Sequence, residues 1–136
     1  MTTLPTNRSM PAASVIPELP YRDVRDAARW LVRAFGFVER LRIGDHRVQL
    51  VHGDGAIVAV AAHGEPSPQR VMVRVADVDA HCAHARAAGA RIVGEPTSHP
   101  YGERQYGAID CGGHAWTFSQ SIADVDPASW GGEVVG

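Results

Sequence analysis

Apolar residues recur at helical spacing in two places along the chain, and alternate with polar residues between them. Val24, Ala27, Ala28, Leu31, Ala34 and Phe35 fall at intervals of three and four, with Trp30 beside that face. This pattern predicts an amphipathic helix opened by Asp23 and stopped by Gly36. A second run from 77 to 88 repeats it, with Val78, Cys82 and Ala85 on one face and Gly89 at the stop. Both runs open on Asp-Val, are rich in Ala, and are followed by extended stretches broken by Gly turns. The chain thus states one unit of about fifty residues twice, and a repeat of this kind lets equivalent positions be compared within a single sequence.

Alternation fills in the strands. Residues 14–21 read as a strand, short or edge-like because of Pro17 and Pro20. Extended segments follow near 37–43, 46–52 and 55–62, separated by the turn signals Gly44-Asp45 and Gly53-Asp54-Gly55. Residues 63–68 form a linker. In the second unit 70–75 alternates, 91–93 is a short strand, and 95–102 reads as an irregular loop. Residues 104–110 and 114–119 make a hairpin around Cys111-Gly112-Gly113. The order is βαβββ, linker, βαβββ, tail. The expected organisation is a flexible N-terminal arm (1–13), one domain (14–120) of modules 14–62 and 69–120, and a tail (121–136) with one short helix between 121 and 130.

Composition narrows the function classes. The chain has 136 residues, enough for one domain with a core. Charged residues make up 21% and the formal net charge is -2, which does not match the basic footprint of a nucleic-acid binder. No apolar stretch approaches the roughly 20 residues that span a bilayer. The first residues lack the apolar core of a signal peptide, so cytoplasmic residence is expected. Two cysteines, Cys82 and Cys111, suit a reducing compartment.

This layout resembles the vicinal oxygen chelate superfamily, the glyoxalase, bleomycin-resistance and ring-cleaving dioxygenase group. The resemblance covers about residues 14–120. It rests on Val75-Ala76-Asp77-Val78-Asp79-Ala80, Ala87-Ala88-Gly89-Ala90, Tyr101-Gly102-Glu103-Arg104 and Ile109-Asp110-Cys111-Gly112-Gly113-His114, taken in order. It implies an α+β fold, with tandem βαβββ modules in a mixed sheet curled around one cavity and helices outside. It also implies a homodimer. Enzymes of that group hold a divalent metal through His, Gln or Glu on the first and last strand of each module. Comparing the two units places those positions at Ile16, Ala59, Arg70 and Thr117. Ile16 and Ala59 have no donor atom, Arg70 is a permanent cation, and Thr117 offers a neutral hydroxyl. No metal and no other cofactor is therefore expected.

Alternation then assigns Ile16, Glu18, Arg70, Met72, Arg74, Arg104, Tyr106 and Thr117 to the cavity as ligand-binding residues. The lining is apolar with a few charges, the usual make-up of a small-molecule site. Glu18 and Arg70 are expected within reach of each other, as ligand-orienting groups or as an internal ion pair. Besides a purely structural or interaction module whose cavity its own side chains fill, two readings stay open. One is a metal-free binding protein of the bleomycin-resistance type that sequesters an antibiotic or metabolite. The other is a metal-independent lyase or isomerase with Glu18 as base and Arg70 or Arg74 as anion stabiliser. Neither nucleic acid nor membrane is an expected partner. His81, Cys82 and His84 lack a third donor nearby and are expected as surface and core residues. His114 is expected in a turn or capping role.

Overall fold

The structure, a computed structural model, describes residues 6–136. The part of the expected arm at 1–5 lies outside the described residues. The chain divides into two compact units, 1–67 and 68–136. Each is a βαβββ module, and each builds its own open, mixed four-stranded sheet. The α+β organisation in tandem βαβββ modules is therefore present.

In the first unit β1 (Glu18–Tyr21) leads into α1 (Val24–Phe35), then β2 (Val38–Ile43), β3 (Arg47–His52) and β4 (Gly55–Ala61). The strand order is β1-β4-β3-β2, with β1 parallel to β4 and the rest antiparallel. Asp23 caps α1, its carboxylate accepting from the Asp26 N–H at 3.0 Å. A cap of this kind is worth about 1 kcal/mol. Gly36 closes the helix in the left-handed region at φ 81°, a conformation that favours glycine. Val24, Ala27, Ala28, Leu31, Ala34 and Phe35 are all buried. They pack toward the sheet face that carries Leu19, Tyr21, Val48, Leu50 and Ile57, all at most 3% exposed. Burying Leu31 or Phe35 contributes roughly 1.5–3 kcal/mol each.

The second unit repeats the plan with β5 (Arg70–Arg74), α2 (Val78–Ala87), β6 (Arg91–Ser98), β7 (Glu103–Ile109) and β8 (Ala115–Ser121). Its order is β5-β8-β7-β6, with β5 parallel to β8. Asp77 caps α2 through the Ala80 N–H at 3.0 Å. Trp116 and Phe118 are buried at 1% and 0% exposure under α2. The hairpin turn after β7 is organised by the buried Asp110. Its carboxylate accepts from the Gly112 and His114 N–H groups and from Trp116 Nε1, each at 2.9 Å. His114, fully buried, accepts the Gln69 N–H on Nδ1 at 2.9 Å. It ties the turn to the start of β5, in line with the structural role expected of it.

Several boundaries differ from the pattern reading. The first strand begins at Glu18 rather than near 14, because Pro17 supplies no N–H to the ladder. β6 runs to Ser98, although Gly94 and Pro96 gave 95–102 the look of a loop. Register shifts between Ile92 and Gly94, and between Gly94 and Thr97, absorb those residues as bulges. The tail holds only a single 3-10 turn (Pro127–Trp130), and 121 belongs to β8. Within the stretch expected as an arm, the Arg8 and Ser9 carbonyls accept from Arg40 and Gln49 at 2.8 Å each.

Candidate ligand-binding site

In each unit the helix covers one face of the sheet, and register decides what the opposite face carries. In the second unit Met72 pairs with Thr117, Thr117 with Gly107, and Gly107 with Gly94. Directly paired residues share a face. One row across the four strands therefore reads Met72, Thr117, Gly107, Gly94. The neighbouring rows are Arg74, Ser119, Gln105, Thr97 and Arg70, Ala115, Ile109, Arg91. Arg70, Met72, Arg74 and Thr117 thus share one face, as expected. Arg70, Met72 and Arg74 are exposed, Met72 at 66%. A concavity of about 300 Å³ opens on this face, bounded by Gly94, Glu95, Thr97, His99, Gln105, Gly107 and Thr117.

Arg104 and Tyr106 were expected on this face and lie on the other. Tyr106 pairs with Phe118, so both rings lie under α2, stacked with centroids 5.2 Å apart. The Tyr106 hydroxyl lies 2.6 Å from His81 Nδ1, and burial pushes its pKa up. Tyr106 also borders the concavity, while its ring is turned to the helix side. Arg104 forms a two-pronged hydrogen bond with Asp79 of α2, at 2.9 Å for each prong. That contact holds the Asp79 carboxyl below its ordinary range. Both residues therefore pin α2 to its sheet.

Alternation alone had allowed the wrong parity, because the phase of β7 against β8 is fixed by the turn Asp110–Gly113. Counting outward from that turn would have exposed Gln105 and Gly107 as the face residues. Gly94, Thr97 and Arg91 follow once β6 is recognised as a full strand.

The first unit supplies the remaining expected residues. Glu18 lies on the face away from α1, with Val58 and Gln49 beside it in register. Its carboxylate is engaged by Arg47 at 2.8 Å, an ion pair within this unit. Ile16 is half-buried just before β1. Ala59 is corrected by one position. It pairs with Leu19 and is fully buried on the helix face, whereas Val58 holds the place equivalent to Thr117.

The electrostatics of the second unit's face are legible from its hydrogen bonds. Glu103 accepts from Ser121 and from Ser119 Oγ, the latter at 2.7 Å, and feels the field of Arg74. These keep its carboxyl below the ordinary range. Gln105 donates to Ser119 Oγ at 3.0 Å. Glu95 is ion-paired with Arg86.

A family model described as the Glyoxalase/Bleomycin resistance protein/Dioxygenase superfamily matches residues 15–118. The chain belongs to this superfamily. Among solved structures it is similar to TioX from Micromonospora sp. ML1, at 36% identity and a TM-score of 0.72, over 82% of this chain and 100% of that one. It is also similar to TnmS3, an antibiotic binding protein from Streptomyces sp. CB03234, at 27% identity and a TM-score of 0.68, over 81% of this chain and 98% of that one. A lactoylglutathione lyase from Agrobacterium tumefaciens shares the fold at 16% identity, with a TM-score of 0.67 over 81% of this chain and 94% of that one. Among curated proteins nothing matches the chain.

The metal used by enzymes of the superfamily does not fit this chain. With the corrected register the four ligand positions hold Ile16, Val58, Arg70 and Thr117. Two hydrocarbons, a guanidinium and one neutral hydroxyl cannot replace the three or so anionic or imidazole donors that a catalytic divalent site needs. Among the described residues no group of three His, Cys, Asp or Glu side chains is placed to hold an ion. No described helix is long and apolar enough to cross a membrane.

Proposed function

We propose that this member of the superfamily is a small-molecule binding protein of the bleomycin-resistance type, which sequesters an antibiotic or metabolite without a metal. In this reading it is a cytoplasmic homodimer, and Arg70, Met72, Arg74 and Thr117 contact the ligand. The observation that carries the reading is the chemistry at the four ligand positions, where no donor set for an ion stands. Further support comes from the exposed face of the second unit, where apolar and cationic side chains sit together beside a concavity large enough for a ring system. Similarity to TnmS3, itself an antibiotic binding protein, points the same way.

The test is a titration of planar antibiotics against intrinsic tryptophan fluorescence, run on chelator-treated protein and repeated with added divalent ions. Saturable quenching at micromolar concentration, unchanged by the ions, is expected. Binding that requires the ions, or no binding across a broad panel, overturns the proposal.

A further inference from the structure

Three arginines of the second unit stand apart from its other two, Arg86 and Arg104. Arg22, Arg25, Arg29, Arg40, Arg42, Arg47, Arg86 and Arg104 each hold a carboxylate or a carbonyl. Arg70, Arg74 and Arg91 are all exposed, and among the described residues their guanidinium groups make no hydrogen bond or ion pair. Register puts all three on the sheet face away from α2. Of the carboxylates near that face, Glu95 is taken by Arg86, and Glu103 is held by two serines and lies in the field of Arg74. Arg74 is thus partly compensated. Arg70 and Arg91 share the row of Ala115 and Ile109, neither of which carries charge. Three inter-strand spacings of about 4.8 Å put their Cα atoms roughly 14 Å apart.

Between these cations the floor is bare. Gly107 and Gly94 lie side by side on adjacent strands, so the peptide backbone itself is the surface there. The floor is bounded on one side by Thr117 and the exposed Met72. On the other side lies Val93, 55% exposed, with a methyl 3.3 Å from where a Gly107 Cβ would stand. Gly107 does not have a positive φ, so its backbone conformation would accept any side chain. The lack of one leaves a flat strip two strands wide, with Thr117 and Met72 on one side and the Val93 methyl leaning over its Gly107 edge. Only a body that lies flat makes full contact with such a strip, and the unpaired cations at its edge favour a negative group on that body.

We infer that the ligand of this face is a planar ring system bearing an anionic group, with its rings on the Gly107–Gly94 floor between Met72 and Val93 and its acid at Arg70 or Arg91. The inference rests on the binding reading above and narrows it to a ligand class.

Pyrene-1-sulfonate, pyrene-1-methanol and adamantane-1-carboxylate separate the possibilities as probes, titrated against the full chain at moderate salt. Both pyrenes are expected to bind, with the sulfonate tighter by about tenfold or more, as a charge-assisted contact provides. The rigid adamantane acid is expected to bind least well. Gly107→Val should abolish pyrene binding, and Gly107→Ala should weaken it with a melting temperature only slightly lowered, as the exposed Val93 gives way. Arg70→Gln with Arg91→Gln should erase the preference for the sulfonate while leaving pyrene-methanol affinity intact. Arg22→Gln, on the first unit, should change nothing. If the wild-type chain binds none of the three probes, nor any compound of the antibiotic panel, the binding reading falls and this inference with it. If compounds bind but Gly107→Ala and Gly107→Val leave affinity untouched, or the two pyrenes bind equally, binding stands and the planar-anion assignment is overturned.

Discussion

Asp110 offers the sharpest test of how the second unit is held together. Its carboxylate is 6% exposed by residue and accepts three hydrogen bonds, of which the His114 N–H and Trp116 Nε1–H belong to residues at most 1% exposed. Asp110→Ala strands both of these buried donors, while the Gly112 N–H can turn to water. Each stranded donor costs about 1–3 kcal/mol, so the variant should lose about 4 kcal/mol. Asp110→Asn keeps one oxygen, but its amide presents N–H either to the indole or to the two backbone donors. A loss of about 2 kcal/mol is expected. With a urea m-value of about 2 kcal/mol/M, the midpoints should fall by about 2 M and 1 M respectively. Urea titrations followed by far-UV circular dichroism and by tryptophan emission measure this. Trp116→Phe removes the indole donor, so the double variant with Asp110→Asn should be less destabilised than the sum, by about 1 kcal/mol. If Asp110→Ala and Asp110→Asn both stay within about 0.5 kcal/mol of wild type, the carboxylate does not organise this turn and the reasoning fails.

Three further outcomes follow from the same structure. Gly102 sits at φ +83°, and a Cβ there would meet the Ala123 carbonyl oxygen at 2.4 Å. Gly102→Ala should destabilise by on the order of 2 kcal/mol or more, read as a lowered melting temperature. Asp79 and Glu103 both have carboxyls depressed by hydrogen bonds in the folded state. Their contribution is present above the unfolded carboxyl range and is lost as pH falls through the folded values. Acid denaturation should accordingly begin at higher pH in Ser119→Ala than in wild type, and Asp79→Asn should show a flatter stability profile below about pH 4. Tyr106→Phe should cost about 1 kcal/mol through the lost His81 contact and leave ligand affinity unchanged, because the ring faces α2. A loss of affinity without a loss of stability would put Tyr106 back on the ligand face.

The two modules, both helices and their aspartate caps are written plainly in the chain. Apolar residues at intervals of three and four can bury only one helical face, and Gly36 and Gly89 end the runs. Strand faces are less legible, since they depend on register, and register depends on turn geometry. Residues 70–74 were read with the right parity because Val71 and Val73 flank an exposed methionine between two arginines. Tyr106 and Arg104 were not, since the phase of β7 is set by the buried contacts of Asp110, which alternation does not reveal. The same one-residue ambiguity moved the last-strand position from Ala59 to Val58. β6 escaped notice because Gly94 and Pro96 look like loop residues, yet bulges let a strand pass through them. Gly107 falls within its strand in the sequence pattern, but its partner Gly94 falls outside the short strand 91–93, so the floor the two form does not show there.

The hold of residues 8 and 9 on the first unit has its own implication. Arg40 and Gln49 grasp peptide oxygens there, not side chains. Amino-acid replacements at those two positions should thus pass almost unnoticed, whereas removing or inserting a single residue would carry the oxygens out of reach. What must be preserved is the number of residues between Ser9 and the first strand, while the lettering at positions 8 and 9 is free to drift.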